Sequence, residues 1–227
     1  MPALLKKLSR VGLHVQTDLR RGWKIWKIVM LGGILVAVAA CKNPFSTREP
    51  EPPVGTGSRW IPPFEAEIVL ENLRNAIADR NVENYLRCLS DSLRSSRQFR
   101  FVPEPAVANT NPGVFVDWGI AQEERYFSQL RDALPPDSAR SLRLDSLQTI
   151  TFSDSAIFLS SYDLQVRHLR QNIGDPGRVR GELRFWLIKD QLSGEWSINR
   201  WADFATGQFQ TWSALKAAFI RLGKAGP

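Results

Sequence analysis

The 227-residue chain has two cysteines, Cys41 and Cys88, and two histidines. It has no His-Glu-x-x-His pair, no cysteine cluster and no serine in a nucleophile elbow. These absences leave no pattern for a transition-metal site or a hydrolase triad. Gly55-Thr56-Gly57-Ser58 is followed by Arg-Trp rather than by the lysine and hydroxyl residue of a phosphate-binding loop. No cofactor is therefore expected. The chain also lacks a long apolar run: the uncharged stretch Ile28 to Ala40 has 13 residues, short of the ~20 that span a bilayer as a helix.

What precedes that stretch is basic: Lys6, Lys7, Arg10, Arg20, Arg21, Lys24 and Lys27 against Asp18 alone. A basic region, a short apolar core and small residues before a cut site make a secretory leader. The basic flank stays cytoplasmic, so the rest is exported. The whole chain carries 30 basic and 23 acidic residues; removing the leader's seven and one leaves 23 and 22, a net charge of +1. The basic balance belongs to the leader, and no nucleic-acid partner is expected.

The small residues end in Val38-Ala39-Ala40-Cys41, which resembles a bacterial lipobox. The resemblance implies cleavage before Cys41, a diacylglycerol thioether on its thiol and acylation of its new amine. Two or more acyl chains anchor stably where one does not. The expectation is a signal peptide over 1–40, a lipidated Cys41 with a Pro-rich tether over 41–63, and one domain over 64–227. The protein would be held at the bacterial cell membrane or outer membrane and face the periplasm. Cys88 then has no disulfide partner. It lies among Tyr85, Leu86 and Leu89 and reads as a small buried hydrophobe.

From Phe64 the apolar spacing predicts helices over 64–81 and 82–93, then a short strand at Phe99 and Phe101. A loop over 106–119 and a helix over 120–134 follow. Four strands joined by short turns fill 141–205, and a closing helix covers 211–222. Phe158, Tyr162, Leu164 and Val166 share one face of a strand; Val179, Leu183, Phe185 and Leu187 share one face of the next. Trp186 and Trp201 fall on the opposite parity and predict an outer aromatic stripe, which a bulge in the last strand would reverse for Trp201. This pattern is α+β: two or three N-terminal helices packed on a curved antiparallel sheet of four to five strands.

The element order resembles the nuclear-transport-factor-2-like superfamily, which includes SnoaL-like and ketosteroid-isomerase-like domains. Asn72 to Ile77 leading into Asn81 to Leu86, and the ending Glu195 to Asp203, carry the resemblance. It implies a cone-shaped domain. Some members are enzymes with an acid/base residue inside the cone. No residue-level motif transfers such a role. The catalytic candidates are His168 and Tyr162. His168 lies at a strand end beside Arg167 and Arg170, which points it toward solvent. Tyr85, Tyr126 and Tyr162 are candidates to line a ligand pocket, or to be core aromatics with one polar end. The expected role is binding of a small apolar ligand or an envelope protein rather than catalysis. The alternatives are an isomerase- or cyclase-like enzyme and a structural protein that forms a homodimer through its sheet.

Overall fold

A computed structural model describes residues 59–92 and 97–221. The expected leader, Cys41 and most of the expected tether lie outside the described residues. The chain from Ser58 on is one compact unit, with its core closed by its own elements.

Helix α1 (Ala66–Asp79) buries Ala66, Val69, Leu70, Leu73, Ala76 and Ile77. This is the i, i+3, i+4, i+7 stripe of a helix lying on a core. Arg80 ends it in the left-handed region at φ 56°, and Asn81 N–H donates to Ala76 O at 2.9 Å. Residues 59–63 run beside α1. Arg59 forks onto Asp79 (3.0 and 2.6 Å). The Asn72 amide exchanges hydrogen bonds with Ile61 N–H and Ile61 O (3.0 and 2.6 Å).

Helix α2 (Val82–Arg87) starts where the Asn81 side chain accepts from Asn84 N–H at 2.9 Å. It is shorter than the spacing predicts, because the chain straightens at Leu89 to bridge Ile198. Cys88 is buried at its end, and burial pushes its thiol pKa up. Strand β1 (Arg100–Val102) follows. The predicted loop contains a short helix, α3 (Pro105–Thr110). Pro105 suits a first helical position, and the Glu104 carboxylate accepts from Ala106 and Val107 N–H (3.0 and 2.7 Å). Helix α4 (Ile120–Ala133) begins as the Gln122 side chain accepts from Gly119 N–H at 3.0 Å.

Strands β2 (Arg140–Thr151), β3 (Ser155–Val166), β4 (Arg178–Lys189) and β5 (Trp196–Phe204) form an antiparallel meander. β1 pairs parallel to β5, giving the sheet order β1-β5-β4-β3-β2. A 3₁₀ turn (Leu169–Ile173) joins β3 to β4. Helix α5 (Trp212–Arg221) closes the domain against α4, α3 and β4. The architecture is the α+β expected: helices on a curved, unclosed, mostly antiparallel sheet.

The predicted faces of β3 and β4 hold; Phe158, Tyr162, Leu164, Val166, Val179, Leu183, Phe185 and Leu187 are all buried. Trp201 is the exception to the strand parity. The β4–β5 register shifts after Trp186, so that Leu187 pairs Ile198 while Trp186 pairs Arg200. The extra residue turns Trp201 inward beside Phe185 (5.1 Å, edge-on) and leaves Trp186 on the outer face. No helix among the described residues is long and apolar enough to cross a membrane.

Candidate functional site

The interior between the helices and the sheet holds a polar centre. Glu123 on α4 and Lys216 on α5 are both completely buried and form an ion pair. The Tyr85 hydroxyl donates to Glu123 Oε2 at 2.9 Å, and Trp118 Nε1 donates to Oε1 at 2.8 Å. Three donors thus meet one carboxylate, the condition for holding an anion out of water. The ammonium has rings on its other sides: Nζ lies 3.7 Å from the Phe101 ring centroid and 3.9 Å from that of Trp201. Burial pushes the Lys216 pKa down to about 8, against the opposing pull of Glu123 and Asp203. It is therefore still charged at neutral pH.

A second carboxylate stands at the N-terminus of α5. Asp203 Oδ2 accepts from Ser213 N–H (2.7 Å) and Ser213 Oγ (2.5 Å), and Oδ1 accepts from the Tyr162 hydroxyl at 2.8 Å. The Tyr162 oxygen in turn accepts from Trp212 N–H at 2.7 Å. Trp212 Nε1 donates to the Tyr126 hydroxyl at 3.0 Å. Burial raises the Asp203 pKa and drives those of all three tyrosines upward. The negative end of this group offsets the positive helix terminus.

Gly181 makes the second cluster geometrically possible. It lies opposite Tyr162 in the β3–β4 ladder. A Cβ there would come within 2.9 Å of the Tyr162 oxygen and closer still to Phe204 O. Only a glycine lets the Tyr162 hydroxyl pass to Asp203.

The structure therefore places the three predicted tyrosines in two hydrogen-bonded groups, Tyr85 on Glu123 and Tyr126 with Tyr162 about Trp212, each hydroxyl engaged by an internal partner. His168 stands apart. It is buried, contrary to its expected exposure, because Phe219 packs edge-on against its ring at 5.0 Å. Its Nε2 lies 2.9 Å from Pro176 O, and burial lowers its pKa. Cys41 lies outside the described residues. Glu123, Lys216 and Asp203 escape the sequence reading. The one local signal is a lysine amid the apolar run Leu215, Ala217, Ala218 and Phe219. Among the described residues no group of three or more His, Cys, Asp or Glu side chains could hold a metal ion.

The outer face of the sheet is different in kind. Ile150, Ile157, Leu159, Arg184 and Trp186 line a groove of about 240 Å³. The Arg200 guanidinium lies 4.8 Å from the Trp186 ring centroid, and that of Arg184 lies 5.6 Å from it.

No protein-family model matches the chain, and no curated protein matches it either. Solved structures do resemble it. An NTF-2 like protein of unknown function from Shewanella oneidensis is 12% identical, with 60% of this chain and 93% of that one covered and a TM-score of 0.42. A ketosteroid isomerase-like protein from Erwinia carotovora atroseptica is 12% identical over 63% and 94%, TM-score 0.42. A protein of unknown function with a cystatin-like fold from Nostoc punctiforme is 16% identical over 62% and 87%, TM-score 0.38.

Proposed function

We propose that this protein is a non-catalytic binding module, exported and lipid-anchored through Cys41, that receives an acidic envelope protein on the outer face of its sheet. The anchor and the periplasmic placement rest on the leader and on Val38-Ala39-Ala40-Cys41. The binding role rests on one observation above the others: the interior is filled. Between the helices and the sheet, Trp201, Trp212, Glu123 and Lys216 are each at most 1% exposed. A binding function then has to use the surface.

The outer face supplies the chemistry. Trp186, Ile157 and Leu159 are partly exposed, and Phe204 is 38% exposed. The same face carries Arg143, Arg178, Arg180, Arg184 and Arg200 against Asp145, Asp163 and Glu182. Asp163 is occupied by Arg178 and Arg180. Among the described residues Arg184 and Arg200 meet rings rather than carboxylates. A second copy laid on this face would oppose like charges, so charge complementarity favours an acidic partner over the homodimer. A catalytic use of the interior has Tyr162 beside Asp203 in its favour and the closed packing against it.

The test is a photo-crosslinking residue at Ile157 in cells. The expected adduct joins a segment rich in Asp and Glu and disappears in R184E. An adduct with a second copy of this chain, or one indifferent to R184E, would refute the acidic partner.

A further inference from the structure

A cavity of about 340 Å³ opens beside β1, lined by Arg100, Phe101, Phe115, Asp117, Trp118 and Arg200. Its volume is within the range of small-molecule sites. Its composition is hard to explain by folding alone. Arg100 and Arg200 are direct partners in the parallel β1–β5 register, and like charges directly opposite in a sheet destabilise it. The nearest compensation is Asp117, whose carboxylate is 3.4 Å from Arg100 and whose side chain is 85% exposed. Such an exposed, solvent-screened pair offsets little of the repulsion. Arg200 is held over Trp186, so its guanidinium is fixed in place without an anion.

The floor is aromatic. Phe115 stacks on Trp118 at 5.0 Å, and Phe101 lies 5.8 Å from Trp118. The buried Lys216 ammonium lies 3.7 Å from the Phe101 ring centroid. A planar apolar body has the half-buried Phe115 ring to lie on, backed by Trp118, and an anionic group has two guanidiniums to meet.

We propose that this cavity binds a small aromatic carboxylate, its ring against the half-buried Phe115 and its carboxylate between Arg100 and Arg200. The planar forks of two arginines suit a carboxylate in a way that a single lysine would not. Asp117 then competes for Arg100, so its removal strengthens binding. This site rests on the reading of the domain as a binding module and shares Arg200 with the arginine-rich outer face, but none of its lining residues lines the Ile157 groove. The crosslinking experiment and the one below can therefore fail independently.

The test uses 2-naphthoate as the probe and its neutral analogue 2-naphthamide as the control. Both are titrated into the protein from residue 43, with the Trp118 indole N–H nuclear magnetic resonance signal as the readout, assigned with W118F. The expected result is saturable binding of naphthoate with a dissociation constant at or below about 1 mM. Naphthamide should bind at least tenfold more weakly. R100Q and R200Q should each weaken naphthoate at least tenfold, and D117N should tighten it severalfold. The arginines are surface residues, so a native spectrum of each variant establishes that it is folded. Equal binding of the amide, unchanged affinity in R200Q, or no saturation by about 5 mM naphthoate would overturn the proposal.

Discussion

The Glu123–Lys216 pair makes the strongest prediction. Replacing Lys216 with Met keeps the volume of the stem but leaves the Glu123 carboxylate buried with only Tyr85 and Trp118 as donors. Breaking a buried ion pair from one side costs about 3–5 kcal/mol, because the remaining charge is uncompensated. For a domain of this size each kcal/mol lowers the melting temperature by roughly 2–4 °C, so K216M should fall by roughly 6–20 °C. E123Q strands the ammonium among Phe101, Trp201 and Tyr126 and should cost a similar amount. The double variant E123Q/K216M removes both charges of the pair. Its loss should be smaller than the sum of the two singles by at least about 2 kcal/mol, the coupling expected of directly contacting buried groups. Urea unfolding of the protein from residue 43 measures all four species. Additive effects, or a K216M variant within about 1 kcal/mol of wild type, would refute the claim that the pair is a mutually dependent pin in the core.

Three further outcomes follow from the same geometry. Lys216 has a folded pKa of about 8 against an ordinary 10.5. The unfolded chain therefore binds more protons between these values, and stability should rise with pH. The rise is about 1 kcal/mol from pH 8 to 9 and should be absent in K216M. Above pH 9 the Cys88 thiol, which keeps its proton when folded, works in the opposite direction; a wild-type curve that falls between pH 8 and 9 would contradict the assignment. Y162F removes the donor to Asp203 and the acceptor for Trp212 N–H, and should cost about 1–3 kcal/mol by thermal unfolding. G181A inserts a Cβ against Phe204 O and the Tyr162 hydroxyl. It should cost at least about 1–3 kcal/mol, and less when combined with Y162F, since the obstructed hydroxyl is then gone.

Much of the fold is legible in the chain because strand faces repeat every two residues and turns announce themselves. The Gly174–Gly177 turn and the alternation in β3 and β4 locate a sheet without any knowledge of its partners. The losses have physical causes. The α2 spacing continues past Arg87, but pairing of Leu89 with Ile198, over a hundred residues away, overrides it. α3 is too short and too mixed to carry periodicity; its signal is Glu104-Pro105, a cap followed by a first-turn proline. The bulge before Trp201 changes which face every later residue occupies, and nothing local marks its position.

The polar centre is the larger loss. Glu123 lies in Gln122-Glu123-Glu124-Arg125, which reads as a solvated helix face. Its burial is decided by Lys216, 93 positions later, and by rings from β1 and β5. Tyrosines signal themselves as large amphipathic side chains, so Tyr85, Tyr126 and Tyr162 were visible as a set. The acids that accept from Tyr85 and Tyr162, and the lysine paired with Glu123, were not, because a charged residue looks the same in a sequence whether it meets water or a buried partner.

The claim that binding uses the surface depends on the interior being closed. The direct measurement is the reaction of the native protein with a lysine-selective acylating reagent at pH 8, followed by peptide mass spectrometry. With a pKa of about 8, Lys216 would be among the most nucleophilic lysines if reagent could reach it. The account predicts that Lys216 stays unmodified while exposed Lys189 reacts fully. Modification of Lys216 at a rate comparable to that of Lys189 would contradict it: the cone would then open, and its lysine, carboxylates and tyrosines would be a site rather than a core.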